Sequence, residues 1–390
     1  RLLLYGYAIG RTSSRRIEQA TYDDVAFRYL AADQHPDHDT IAQFRQQHLD
    51  PLSNLFVDVL RLCQRAGLIK LGQVAIDGTK LKANASKHHS MRYQRLSEEE
   101  QRLTKLVEGL LAEAERVDQE EDLRYGKGQR EHALPSELAT SEARLERIRQ
   151  AKRELEEEAR QQAEAAQQEA QPHQRRAGRP NKNDPPPALD EAQRRTLFKR
   201  AKRAAQRAAE PTRHYNFTDP DSRMMWDNGA KNPVQGFNAQ LAVDHAAQII
   251  VAAEVTQQTT DHDQLVPMVE LIREATGEAP ECVMADAGYW HTAQLLDRRL
   301  QGVDVLVPPD SIAQRRRLTS ELARSMREKL SGSANKALYA LRQSTVEPVI
   351  AHIKEGRGFR RFRLRGLPQV RAEWKLICLT HNILKLFRHS

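Results

Sequence analysis

Val74-Ala75-Ile76-Asp77-Gly78 is the stretch on which the fold turns. Three apolar residues, two of them β-branched, form a run too short for a helix and read as a buried strand. The strand ends in a carboxylate and a glycine. Cys282-Val283-Met284-Ala285-Asp286 repeats the arrangement later in the chain, with Gly288 two residues on. In both, the strand fixes the backbone and a short acidic side chain projects beyond the sheet. The nearby glycine leaves room for a ligand or metal to approach.

Working outward, Phe237, Ala239, Leu241 and Val243 alternate, as do Ile249, Val251, Ala253 and Val255, around a turn at Asp244-His245-Ala246-Ala247. A helix carrying Leu265, Met268, Val269 and Ile272 stops at Gly277; a short helix at Leu295-Leu296 and a last strand from Val303 to Val307 follow. The order is strand, long insertion, strand hairpin, helix, strand, helix, strand, C-terminal helices. That is an α/β order, and it predicts a ribonuclease-H-like mixed sheet with an arm inserted after the first strand. The core then comes in two pieces, 71–90 and 216–390.

The segments around the core differ in kind. Residues 1–70 read as a helical domain: Ser13 or Ser14 caps one helix and Asp39 another, and Leu52, Leu55, Phe56, Val59, Leu60 and Cys63 form a stripe ending at Gly67. Short helices with tight turns are compatible with DNA binding, with Gln43, Arg45, Gln46 and Gln47 as exposed candidates. In 91–170, Leu96, Leu103, Leu110 and Val117 keep a seven-residue step, as do Leu138 with Leu145 and Ile148 with Leu155. This predicts a helical-hairpin, coiled-coil arm, with two solvated single helices as the alternative. Residues 171–215 read as a basic, disordered linker that binds phosphates without specificity, in preference to the short resemblance of Arg175 to Pro180 to a minor-groove AT-hook core.

Net charge is +8, from 61 basic and 53 acidic residues, which suits a nucleic-acid partner better than an acidic small molecule. Cys63, Cys282 and Cys378 are too scattered for a zinc ribbon, and a reducing cytoplasm is the simplest setting. No apolar run is long enough to cross a bilayer. The chain opens with Arg1 inside an apolar segment and reads as a piece whose natural beginning is missing.

A third carboxylate, Glu347, precedes Pro348 where Val346, Val349, Ile350 and Ile353 begin an inward helical stripe. With Thr345 as N-cap, Glu347 lies near the positive end of the helix, where an ionised carboxylate is favoured. Three such acids suit two divalent ions roughly 3.5–4 Å apart in phosphodiester chemistry. Asp219, Asp221, Asp261 and Asp263 read more simply as caps and turn residues. Taken singly, each of the three is more often a turn former or a cap than a ligand; the trio carries the argument.

Ala75-Ile76-Asp77-Gly78-Thr79-Lys80 and Ala285-Asp286-Ala287-Gly288-Tyr289 resemble the first and second acidic blocks of DDE-type bacterial insertion-sequence transposases. Tyr339-x-x-Arg342, Glu347 and Lys354 resemble the Tyr-Arg-Glu-Lys signature of the IS-four/IS-five supergroup. Ser13 to Glu18, Pro36 to Arg45 and Arg357 to Phe362 resemble the members with an N-terminal helical domain. The resemblance spans the chain apart from 91–213. It implies Mg²⁺ or Mn²⁺, two ions, on Asp77, Asp286 and Glu347. Arg342 and Lys354 would contact phosphates, with Tyr339 in the same signature. The dense basic run Arg357, Arg360, Arg361, Arg363 and Arg365 that follows reads by its charge as a continuation of the DNA-binding face, with a solvated basic face as the alternative. Four residues separate Arg342 from Glu347 where the signature more often has three, which leaves the role of Arg342 less secure than that of Lys354.

The expected function is metal-dependent strand cleavage and strand transfer at the ends of a mobile element. The expected partners are double-stranded DNA, as terminal repeats and target, and a second copy of the chain in a synaptic complex, in a bacterial cytoplasm at the nucleoid. The alternatives are a ribonuclease-H-like DNA nuclease without strand transfer and a decayed or repurposed DNA-binding protein.

Overall fold

The computed structural model describes residues 1–125, 136–170, 213–227, 231–310 and 320–389. They divide into two compact units, Arg1–Lys87 with Thr218–Ser390, and His88–Phe217.

In the first unit β1 (Gln73–Lys82) is the central strand of a mixed sheet. It runs antiparallel to β5 (Asn232–Asp244), with Asp77 opposite Leu241, and parallel to β7 (Cys282–Met284), with Ala75 beside Met284. β8 (Asp304–Leu306) extends the parallel side. β4 (Arg223–Asp227) and β6 (Ile250–Thr256) both pair antiparallel with β5.

The alternation in β5 does not mark an exposed face. From Val234 onward every residue of β5 is buried, Asn238 and Gln240 included. Successive side chains point to opposite faces, so both faces are covered. Among the covering elements, α8 (Leu265–Thr276) packs on β6 and β5, and α12 (Leu367–His389) packs on β6. Two polar side chains tie α12 to the sheet: Trp374 Nε1 donates to the Gln240 carbonyl at 2.9 Å, and Asn382 bonds both the N–H and the C=O of Ile250 at 2.8 Å.

The N-terminal region is helical: α1 (Leu2–Ala8), α2 (Ser14–Asp23), α3 (Val25–Leu30), α4 (His38–Gln47) and α5 (Leu49–Arg65). Asp37, not Asp39, caps α4. Asp37 has the extended backbone of an N-cap and accepts from Thr40 N–H at 2.6 Å, whereas Asp39 already lies inside the first turn. Arg45 is also not an exposed candidate. It is buried, donating to Tyr7 Oη and the Thr12 carbonyl.

In the second unit β2 (Ser90–Arg92) pairs antiparallel with β3 (His214–Asn216), and α6 (Tyr93–Tyr125) packs on α7 (Ser136–Ala170). Their partners run in opposite chain directions: Tyr93 reaches Glu156, and Glu100 reaches Lys152. Leu96, Leu103, Leu145, Ile148 and Leu155 form the buried seam, while Leu110 and Val117 are only half-buried. The AT-hook-like run lies outside the described residues. No helix among them is long and apolar enough to cross a membrane.

Candidate active site

The register between β1 and β7 brings the two aspartates together. Ala75 lies beside Met284, the last registered pair, and two residues on, Asp286 lies just past the end of β7. Asp77 stands midway along β1, which does not end there as its apolar run predicts but continues to Lys82 through its ladder with β5. Two residues beyond a registered parallel pair, the carboxylates become neighbours across a gap of more than two hundred residues in sequence. Burial pushes Asp77 up to about 6; Arg342 opposes this, and the negative charges of Asp286 and Asp261 add to it. Burial outweighs the guanidinium.

The two glycines do not open space for a ligand. A Cβ at Gly78 would meet Gln240 Nε2 at 2.5 Å and Asp261 Oδ1 at 2.6 Å, so the protein's own polar groups use that room. A Cβ at Gly288 would lie 2.9 Å from Asp286 Oδ1, because that carboxylate folds back to accept from Gly288 N–H at 2.9 Å.

Tyr339, Arg342 and Glu347 all come from one helix, α11 (Ser333–Ala351), which follows α10 (Glu321–Ser331). The helix does not begin at Thr345. Ser333 to Ser344 contains good helix formers and no breaker, so Thr345 lies mid-helix, its hydroxyl bonded back to the Leu341 carbonyl at 2.7 Å. Pro348 removes the N–H that would have reached the Ser344 carbonyl, and Gln248 Nε2 donates to that carbonyl instead at 2.9 Å. Glu347 therefore does not sit at a positive helix end.

Arg342 is nearly buried, with 11% of its side chain exposed, and stands between two of the acids. Nη1 lies 3.2 Å from Asp77 Oδ2 and Nη2 lies 3.9 Å from Glu347 Oε1, whose side chain is 55% exposed. Burial raises the pKa of the Tyr339 hydroxyl while the nearby Arg342 lowers it. The helix passes into a π turn, His352–Gly356, which carries Lys354; its Nζ donates to Thr79 Oγ1 at 3.1 Å. Thr79 follows Asp77 by two residues and shares its face of β1.

The basic segment after Lys354 divides. Arg357 is buried, its guanidinium donating to the carbonyls of Tyr7 and Ile377 and to the Thr380 hydroxyl; it braces α1 against α12 and leaves the expected DNA-binding set. Phe359, Phe362 and Leu364 also point inward, and Arg360, Arg361, Arg363 and Arg365 point out. Arg360 pairs with Glu355. Arg361 bridges in parallel to Lys82 at the end of β1, so this segment borders the same strand as Asp77.

One group escaped the sequence reading. The Asp261 carboxylate accepts from Asn238 Nδ2 at 2.7 Å and Gln240 Nε2 at 2.6 Å, with Lys80 Nζ at 3.5 Å; Tyr289 Oη donates to Gln240 Oε1. Asp261 also makes the expected turn, its carbonyl accepting from Gln264 N–H. The signal was available in β5: Asn238 and Gln240, alternate polar residues in its middle, are amides and not charges, which suits burial better than solvent.

Among the described residues no three His, Cys, Asp or Glu side chains are grouped so as to hold one metal ion. The donor chemistry still fits a hard divalent cation: two neighbouring carboxylates, with a third linked through Arg342, and such ions commonly take few protein ligands plus water and phosphate.

No curated protein and no solved structure compared with the chain gives a match. Two family models do match. Residues 310–387, which hold Tyr339, Arg342, Glu347 and Lys354, match the model described as Transposase DDE domain. Residues 1–47 match Transposase domain (DUF772). Asp77 and Asp286 lie outside both stretches. Both descriptions are of transposases, and the two matches near opposite ends of one chain support a DDE-type transposase.

Proposed function

We propose that the chain cuts and joins DNA at the ends of a mobile element, with Asp77, Asp286 and Glu347 as its metal-binding acids. The observation that carries this is the parallel register of β1 and β7, which sets Asp77 beside Asp286 and opposite Arg342 of α11. The strand order, with β5 and β6 antiparallel on one side of β1 and β7 and β8 parallel on the other, supports a ribonuclease-H-like core. Divalent ions, Mg²⁺ or Mn²⁺, would supply charge neutralisation and an activated water when bound. The chain's own residues do the rest. Asp77 offers a carboxylate from within β1 and Asp286 another from just past the end of β7, Glu347 approaches from α11, and Lys354 offers a cation beside Thr79 for a phosphate. Arg360, Arg361, Arg363 and Arg365 extend that charge along the edge of β1. Double-stranded DNA is the proposed substrate, and pairing of two ends implies a homodimer.

The test is cleavage and strand transfer on a duplex carrying the terminal repeats that flank the gene, with and without Mg²⁺. Asp286→Ala should abolish both reactions while leaving DNA binding nearly intact. Retention of substantial Mg²⁺-dependent cleavage by that variant would falsify the assignment. Cleavage without joining would favour a nuclease, and binding without cleavage a repurposed DNA-binding protein.

A further inference from the structure

We propose that Arg342 is an internal counter-ion that keeps metal out of the site until DNA draws it away. This rests on the assignment of Asp77 and Glu347 as metal ligands. The guanidinium spans both, at 3.2 Å from Asp77 Oδ2 and 3.9 Å from Glu347 Oε1, so it occupies the position between two of the three acids. Among the described residues no three acidic side chains converge on one point. A cation entering there meets a fixed positive charge in a half-buried setting, where repulsion is screened far less than in water. A lysine or histidine could lose its proton to make way. A guanidinium cannot be discharged at any accessible pH, so Arg342 has to move.

Its present seat is incomplete, which makes movement cheap. Arg342 Nε is buried and finds no hydrogen-bond acceptor among the described residues. A phosphate offers several acceptor oxygens and matches the planar fork in two parallel bonds. A DNA backbone docking near Lys354 therefore competes with Asp77 and Glu347 for the same guanidinium. Once Arg342 turns to phosphate, the carboxylates are left with surplus negative charge and bind a cation more tightly. Linkage makes the effect reciprocal: metal on the acids releases Arg342 and tightens DNA. The arrangement would keep a bare protein poorly loaded and couple loading to substrate.

The experiment is Mn²⁺ binding to the full chain, read by the electron paramagnetic resonance of the free ion, without DNA and with a saturating duplex. Without DNA, Arg342→Gln should bind Mn²⁺ at least tenfold more tightly than the parent. Duplex should tighten binding by the parent and add much less to the variant. Asp77→Asn should remove the gain in the double variant. If Arg342→Gln does not fold, Arg342→Lys, which keeps the charge but not the fork across both acids, should still tighten binding about threefold. No gain in the folded arginine variant, with Asp77→Asn still abolishing binding by the parent, overturns the counter-ion role and leaves the metal site standing. Unchanged binding in Asp77→Asn removes the metal site itself and the proposal with it.

Discussion

Lys354 and His381 show what a single side chain can test. Lys354 Nζ stands 3.1 Å from Thr79 Oγ1, on the face of β1 that bears Asp77. If it holds a phosphate there, Lys354→Ala weakens binding to the element's end and lowers the salt slope of binding by about 0.7–0.9. Lys105→Ala, on an exposed face of α6, should change neither. Equal effects from both would leave only diffuse attraction. His381 tests the core. It is buried, with Nε2 at 3.0 Å from the Gln248 carbonyl and Nδ1 facing His352 Nδ1 at 3.3 Å, and burial pushes its pKa down to about 3. The folded chain therefore keeps it neutral, while the unfolded chain takes up a proton near 6.5. Its contribution is complete above about 6.5 and is lost as pH falls toward 3, at up to about 1.4 kcal/mol per pH unit. Urea unfolding at pH 7 and pH 5 should show a smaller acid loss in His381→Gln. The same loss in both proteins would place the acid sensitivity elsewhere.

At the scale of the element, α11 is a helix interrupted by a proline and repaired from outside. Gln248 Nε2 donates to the Ser344 carbonyl that Pro348 leaves open, within the helix that carries Arg342 and Glu347. Gln248→Ala should cost about 0.5–1.5 kcal/mol, the net worth of a hydrogen bond whose acceptor water can reach. In a Pro348→Ala background an N–H is restored and the same substitution should cost less. A double-mutant cycle by urea unfolding isolates the coupling, since other contacts of Gln248 are lost in both backgrounds. A coupling of zero would mean that water already satisfies Ser344.

At the scale of the whole molecule, the second unit begins and ends at one place. The β2–β3 ladder and the Phe217 N–H to His89 carbonyl bond, 3.1 Å, bring its two ends together. Replacing residues 88–217 by a short glycine-rich link from Lys87 to Thr218 should therefore leave the mixed sheet intact. Circular dichroism and a single cooperative thermal transition check this; a molten remainder would show that the sheet depends on the helical pair.

The local elements were legible in the sequence because hydrophobic period is a local property. The strands that begin before Asp77 and Asp286, the inward stripe from Val346 to Ile353 and much of the leucine seam of the helical pair follow from spacing alone, while the continuation of β1 past Asp77 to Lys82 does not. Which acid meets which cation was not legible. Arg342 and Arg357 look alike in the chain, yet one stands between Asp77 and Glu347 and the other is buried between α1 and α12. Asp261 reads as a turn residue and is one, but its carboxylate also anchors the buried amides behind β1. Charge has no period. Its surroundings depend on which strands pair and which helices cover them, and those contacts join residues hundreds of positions apart, so only the tertiary structure decides them.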